Sequence, residues 1–238
     1  MLEQPHLLIA GATGSGKSVV INGMMAALLH RLPGNSTPDK VKLILIDPKR
    51  VELVAYKDLP HTVRYASEPE EMLSALQYAM ELAENRFRVM QERRKKKYPG
   101  GDVYIVIDEF ADLMTTQGRA VVPIIQRLAQ IGRAAKVHII LATQTPVREV
   151  IPTKIKCNFD ARVGLRTRSD QDSRNIIGKS GLERLPSYGK GYYMKPNGAG
   201  DPSIKEGYYN IPYVDDDEIE RLVKWWMTDG QKSKFKLF

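Results

Sequence analysis

The chain has 238 residues, of which 42% are apolar and 27% charged, so it is long enough to bury a core and too apolar for a disordered protein. With one cysteine, Cys157, it has no internal disulfide framework, and we expect neither a signal peptide nor a membrane span, which favours a cytoplasmic location. Lys and Arg outnumber Asp and Glu by 36 to 28, and the net charge of +8 favours a polyanionic partner such as nucleic acid.

Runs of strand length, most of them almost entirely apolar, occur at residues 6–10, 41–47, 103–108, 137–143 and 161–165. Such runs are typical of strands that are buried on both faces of a sheet, and helical segments between them favour a parallel arrangement. We therefore predict an α/β fold with a mainly parallel, helix-covered central sheet.

Helical periodicity predicts helices at residues 17–31, 68–97 and 121–135. In the second, Ser67 and Glu70 are predicted to form a capping box. The third is predicted to begin near residue 121 because Pro123 is tolerated in the first turn of a helix.

Beyond residue 165 the composition changes, because glycine and proline separate short aromatic strands at residues 191–194 and 207–210. This pattern predicts an antiparallel extension at the edge of the sheet. A short acidic-headed helix at 215–227 and a basic tail with Lys232, Lys234 and Lys236 follow. With no repeat or linker, we predict one domain over residues 1–238, with a C-terminal extension from about residue 176.

Residues 11–18, with the sequence GATGSGKS, fit the P-loop pattern G-x-x-x-x-G-K-[ST] between the first predicted strand and helix. In a P-loop, backbone N–H groups surround the β-phosphate, the lysine reaches the β- and γ-phosphates and the serine hydroxyl ligates Mg²⁺. ATP and Mg²⁺ are therefore the expected ligands. The predicted nucleotide-binding residues are Gly11, Ala12, Thr13, Gly14, Ser15, Gly16, Lys17, Ser18 and Val19.

Residues 103–109 form an apolar strand that ends in two carboxylates, as in a Walker B element. Asp108 is predicted to bind Mg²⁺ together with Ser18, and Glu109 to polarise the attacking water as a general base. A glutamate directly after the aspartate, with an extra strand at 137–143, separates additional-strand ATPases from kinases and GTPases. Gln144, at the end of that strand, is predicted to contact the γ-phosphate or its water; the alternative is a polar residue where a strand meets solvent.

Several strings together resemble the motor domain of the FtsK/SpoIIIE DNA translocases, over about residues 6–224. They are IDPKRVEL at 46–53, LPH at 59–61, IDEFADLM at 107–114, GRAA at 132–135, ATQ at 142–144 and DSR at 172–174. The resemblance implies a RecA-like P-loop ATPase that forms a homo-hexameric ring and threads double-stranded DNA through it. It implies a role in chromosome segregation, sporulation or conjugative plasmid transfer.

The sequence departs from this family at several points. Thr145 stands where members usually carry an arginine that faces the DNA channel, and Arg148 is the expected substitute. The membrane segment, the small domain before the ATPase and the DNA-reading winged helix of the family have no counterpart in the 238 residues. We therefore expect an excised motor or a shortened mobile-element relative, with membrane contact only through segments outside this chain.

Basic residues divide into three groups. Arg133 matches the family's arginine finger, which acts on a neighbouring subunit's phosphoryl group; the alternative is a residue that complements a helix dipole. The basic run Arg93–Lys97 is more typical of a solvated helix end than of a DNA surface. Loops between residues 143 and 174 match the family's channel loops, and the predicted DNA contacts are Arg148, Lys154, Lys156, Arg168 and Arg174.

The sequence thus predicts an ATP hydrolase that translocates double-stranded DNA with little sequence preference. A related ring ATPase that moves protein, as in type VII secretion, is the alternative, although its channel loops would not need an excess of basic residues. A scaffold that binds nucleotide without hydrolysing it is disfavoured because the predicted catalytic residues are all present.

Overall fold

A computed structural model describes residues 5–30, 36–198 and 201–228. The predicted basic tail with Lys232, Lys234 and Lys236 lies outside the described residues, as does residue 31 at the end of the first predicted helix. Within the described ranges, one sheet has the strand order β3-β2-β4-β5-β1-β6-β7-β8. The strands are β1 (His6–Ala10), β2 (Val41–Ile46), β3 (Thr62–Ala66), β4 (Asp102–Ile107), β5 (Val137–Thr143), β6 (Ala161–Gly164), β7 (Lys190–Gly198) and β8 (Asp201–Asn210).

Strands β1 to β6 pair with one another in parallel, whereas β7 pairs antiparallel with both β6 and β8. The helices are α1 (Lys17–Leu29), α2 (Pro69–Glu92), α3 (Phe110–Ala135), α4 (Thr153–Lys156), α5 (Asp170–Ile177) and α6 (Asp216–Thr228). All five predicted central strands, the antiparallel extension and the acidic-headed helix are confirmed. Strand β3 and helix α5 were not predicted, because β3 is a half-exposed edge strand and α5 spans only eight residues.

The central strands are apolar on both faces because each face is covered by a different pair of helices. In β4, Ile105 and Ile107 belong to the core beneath α2 and α3, whereas Tyr104 and Val106 belong to the core beneath α1 and α6. Strand alternation therefore places neighbouring residues in opposite cores. This double burial explains the unbroken apolar runs in the sequence.

Helix α3 differs from its prediction, because it begins at Phe110 and Pro123 lies in its interior. A proline inside a helix removes a hydrogen bond and costs about 3 kcal/mol. Here Leu113 before the proline and Ile125 after it are both fully buried. Burial of apolar side chains on both sides of the proline offsets its cost, so the prediction that the helix begins at residue 121 was wrong.

The capping box of α2 is also shifted from its prediction. Glu68, rather than Ser67, is the N-cap, and Glu71, rather than Glu70, returns the bond to the Glu68 N–H. Pro69 then occupies the first helical position, where its missing N–H costs nothing. The helix ends at Glu92, so the basic run Arg93–Lys97 is an exposed segment beyond it.

Candidate functional site

The P-loop joins the end of β1 to the start of α1, as predicted. Gly14 and Gly16 have φ values of +73° and +94°, which side chains other than glycine rarely adopt. At Gly11 an added Cβ would lie 2.6 Å from Leu165 Cβ. Backbone conformation therefore requires glycine at two of these positions, and the approach of Leu165 requires it at Gly11. The loop brings the backbone to the amino end of α1, where a phosphate can bind.

Lys17 and Asp108 meet although β1 and β4 are separated by β5. Lys17 Nζ lies 2.5 Å from Asp108 Oδ1 and donates to the Asp108 carbonyl oxygen at 2.7 Å. Both side chains are buried. Burial raises the pKa of Asp108, while the Lys17 charge opposes that rise. The ion pair joins the P-loop to the Walker B strand in one low-dielectric cluster.

Glu109 is held rigidly at the carboxyl ends of β4 and β5. It is 2% exposed and accepts hydrogen bonds from Thr143 Oγ1 at 2.8 Å and from the Gln144 N–H at 3.2 Å. Lys49 Nζ, from the loop after β2, lies 3.5 Å from Glu109 Oε2. These contacts give the Glu109 carboxylate a defined orientation beside the ends of both strands.

Gln144 connects the extra strand to the P-loop. Its Oε1 accepts a hydrogen bond from Thr13 Oγ1 at 2.7 Å. The structure therefore brings together four residues that the sequence analysis placed in the active site. They are Lys17, Asp108, Glu109 and Gln144.

The loop after β2 adds residues that the sequence analysis did not assign. Besides Lys49, it carries Glu52, which accepts a hydrogen bond from the Ser18 hydroxyl, and Asp47, which is completely buried. Their positions follow from the sheet, because β2 lies beside β4 and the carboxyl ends of parallel strands meet at one edge. The string IDPKRVEL was the available signal, but only the strand order places it at the P-loop.

The donor set around Ser18 fits Mg²⁺. No group of three or more His, Cys, Asp and Glu side chains in the described ranges has the spacing of a metal site. Magnesium in nucleotide sites usually takes only one or two protein oxygens and completes its shell with water and phosphates. The Ser18 hydroxyl, in the first turn of α1, and the Asp108 carboxylate, which contacts Lys17 of the same turn, would be such a pair.

Arg133 lies away from this cluster. It is exposed in the last turn of α3, where an added Cβ on the neighbouring Gly132 would meet His6, the first residue of β1. The P-loop follows the last residue of β1, and five residues at about 3.3 Å each separate the two edges of the sheet by roughly 15 Å. Arg133 therefore lies at the edge of the sheet opposite its own P-loop.

The predicted DNA contacts lie on several segments: the loop after β5, helix α4, the loop after β6, and α5. Arg148 and Lys154 are exposed after β5, and Lys156 is partly buried, with its pKa lowered by burial and then by Arg162 and Arg148. Arg174 is exposed on α5 and is paired with Asp170 at 3.1 Å. Arg168, in contrast, lines a cleft of about 240 Å³ beside the P-loop.

The basic run Arg93–Lys97 is exposed at the same edge of the sheet as Arg133. The Tyr98 N–H, directly after the run, donates to the Ala134 carbonyl oxygen at 3.0 Å. This edge carries the amino ends of the parallel strands, opposite the P-loop.

In the described ranges no helix is sufficiently long and apolar to cross a bilayer.

Solved structures share this fold. The cytoplasmic domain of the type VII secretion ATPase EccC from Thermomonospora curvata superposes with a TM-score of 0.76 at 22% identity, covering 93% of this chain and 28% of EccC. The pCW3 conjugation coupling protein TcpA, solved with ATPγS, has a TM-score of 0.76 at 22% identity and covers 93% of this chain and 64% of TcpA. These likenesses confirm the predicted class of P-loop ATPase fold.

Sequence comparison identifies the family. The chain is 36% identical to the DNA translocase FtsK of Bradyrhizobium diazoefficiens, over 97% of this chain and 32% of that protein. It is 34% identical to the DNA translocase FtsK of Rickettsia bellii, over 97% of this chain and 35% of that protein. It thus spans about a third of the length of these relatives. The FtsK/SpoIIIE family profile matches residues 1–104 and 100–148, and the chain therefore belongs to the FtsK/SpoIIIE family.

Proposed function

We propose that this chain is the motor domain of a ring-forming ATPase that translocates along double-stranded DNA. One observation carries the proposal: the P-loop, the Walker B carboxylates and Gln144 at the end of β5 meet at one site. The curated relatives of this chain are named DNA translocase FtsK. The relatives are longer than this chain, so the activity is proposed for the motor domain and tested on it.

In this proposal, ATP binds with its β- and γ-phosphates on the P-loop and draws Lys17 away from Asp108. Mg²⁺ bound by Ser18 and Asp108 would neutralise charge on the two phosphates and align them. Glu109 accepts a proton from the water that attacks the γ-phosphorus, and the bond to the ADP oxygen breaks. Gln144, linked to Thr13, is placed to sense whether the γ-phosphate is present.

The position of Arg133 supports a ring, because an exposed arginine on the edge opposite its own P-loop is available to a neighbouring subunit. We propose that it inserts into the neighbour's site and stabilises charge on the transferring phosphoryl group. Such a head-to-tail contact forms a ring with one site at each junction when the rotation between subunits closes, and the family resemblance implies a ring of six.

Duplex DNA is the proposed track, bound through its phosphates. Exposed basic side chains after β5 and on α5 support this binding, whereas Arg168 is the weakest candidate because it lines the cleft beside the P-loop. We propose a cytoplasmic location, with any membrane contact made by other segments. A protein-moving ATPase is the alternative, but its loops would not need the excess of basic residues that lies between residues 143 and 174.

The ATPase rate with and without linear duplex DNA, at two salt concentrations, tests the proposal. A DNA motor should be stimulated by DNA, and the stimulation should weaken at higher salt because phosphate contacts release counterions. An ATPase that DNA does not stimulate at either salt would favour the protein-moving alternative, and the absence of any hydrolysis would overturn both.

A further inference from the structure

The loop after β2 contains an acidic residue that contacts the P-loop and has no role in the proposed hydrolysis step. We propose that Glu52 is a positioning residue for the magnesium–nucleotide site, acting through the Ser18 hydroxyl. This inference rests on the proposed binding of ATP with Mg²⁺. It assigns to the string IDPKRVEL a task beyond its use as a family signature.

The contact is a direct hydrogen bond in which the Ser18 hydroxyl donates to Glu52 Oε1. A hydroxyl has one proton and two lone pairs. When the Ser18 hydroxyl donates its proton to Glu52, only its lone pairs remain for other partners. A cation binds to such a lone pair. Without this acceptor the hydroxyl can rotate and donate to Asp108 or to a phosphate, which would turn its proton toward the cation.

Hydrogen bonds to Asp47 anchor the backbone next to Glu52. Asp47 Oδ2 accepts a hydrogen bond at 3.0 Å from the N–H of Leu53, the residue next to Glu52. Asp47 and Leu53 are both completely buried. Between them, the Arg50 N–H donates to the Asp47 carbonyl oxygen at 3.2 Å, and Arg50 has a φ of 56°. The turn therefore has a fixed path, and the half-buried Glu52 carboxylate projects from an anchored segment.

Charge supports the same role. Lys17 lies against Asp108, and the carboxylates of Glu52 and Asp47 are close enough to Asp108 to interact with its charge. Three carboxylates and one ammonium group thus lie in this part of the site, an excess of negative charge that favours a divalent cation. Because these carboxylates do not form a group with metal-site spacing, Glu52 is assigned to Ser18 and not to the cation itself.

The test measures binding of the fluorescent analogue mant-ATP to the whole chain as a function of Mg²⁺ concentration. Loss of a residue that orients a metal ligand typically weakens metal affinity 10- to 100-fold. Glu52→Ala should therefore raise the Mg²⁺ concentration for half-maximal effect by about 10- to 100-fold, while mant-ATP affinity in EDTA stays unchanged. Glu52→Gln, which retains an acceptor for Ser18 but loses the charge, should show a smaller shift.

Asp58→Asn is the matched control, because it removes an exposed carboxylate in the same segment and should leave the Mg²⁺ dependence as in wild type. A second comparison asks whether Glu52 acts through Ser18. Ser18→Ala should also raise the Mg²⁺ concentration for half-maximal effect. Adding Glu52→Ala to it should cause little further change in that concentration.

Two results would overturn the assignment of Glu52 while leaving the proposed function intact. One is a Glu52→Ala protein that binds mant-ATP with wild-type Mg²⁺ dependence. The other is a double variant in which the effects of Ser18→Ala and Glu52→Ala multiply, since independent effects would mean that Glu52 does not act through Ser18. A wild-type chain that binds no mant-ATP, or binds it without regard to Mg²⁺, would overturn the proposed function as well.

Discussion

His6, at the start of β1, provides a test of the packing that joins the sheet to α3. The imidazole is 2% exposed, packs against Phe159 with ring centroids 5.6 Å apart, and its Nδ1 accepts a hydrogen bond from the Ile139 N–H at 3.2 Å. Burial and then the nearby His138 lower the pKa of His6 from 6.5 to about 4. The folded protein therefore takes up a proton on His6 only at a lower pH than the unfolded chain does.

Because the pKa of His6 is lower in the folded protein, the free energy of unfolding falls with falling pH. Above pH 6.5 the imidazole is neutral in both states and adds no pH dependence. As the pH falls below 6.5 the unfolded chain gains the proton first, so folding free energy is lost until the folded protein is protonated near pH 4. The two pKa values correspond to a total loss of about 3 kcal/mol, of which about 2 kcal/mol is reached at pH 5.

Urea unfolding at pH 7.5 and pH 5.0 measures this loss. Wild type should lose about 2 kcal/mol more between the two pH values than His6→Asn, which has a side-chain oxygen that can accept from Ile139 but no imidazole to protonate. Other titrating groups are common to both proteins, so they cancel in the comparison. Equal losses in the two proteins would show that the imidazole is not held neutral by burial.

The remaining predictions concern the proposed reaction. Lys17→Ala should lose most ATP affinity, whereas Glu109→Gln should bind ATP with Mg²⁺ and hydrolyse it at least about 100-fold more slowly; near-normal turnover would remove Glu109 as the base. Arg133→Ala should bind ATP normally and hydrolyse it about 10³-fold more slowly. Mixing it with Lys17→Ala subunits should restore activity, and a lack of rescue in verified mixed rings would argue against action between subunits. Arg174→Ala should weaken binding to unrelated duplexes alike and reduce the slope of log K against log salt by about 0.9 per lost contact; an unchanged slope would direct attention to Arg93–Lys97.

The sequence alone identified the features that depend on local chemistry. The P-loop could be recognised because its closely spaced glycines and its lysine at the start of a helix stand within eight successive residues. The apolar runs of the central strands could be recognised because burial on both faces leaves few positions for a polar side chain. The α/β class follows from these runs and the family resemblance from local motifs, and the structure and the comparisons confirm both.

Only the tertiary structure decided the features that depend on burial or on strand order. Pro123 lies inside α3 because packing on both sides outweighs its intrinsic cost, and no local pattern reports that packing. Strand order places Lys49 against Glu109 and Glu52 against Ser18, contacts between residues at least 34 positions apart whose pairing no local spacing encodes. Arg168 lines the P-loop cleft for the same reason, because β6 lies beside β1 and carries its following loop to that edge of the sheet.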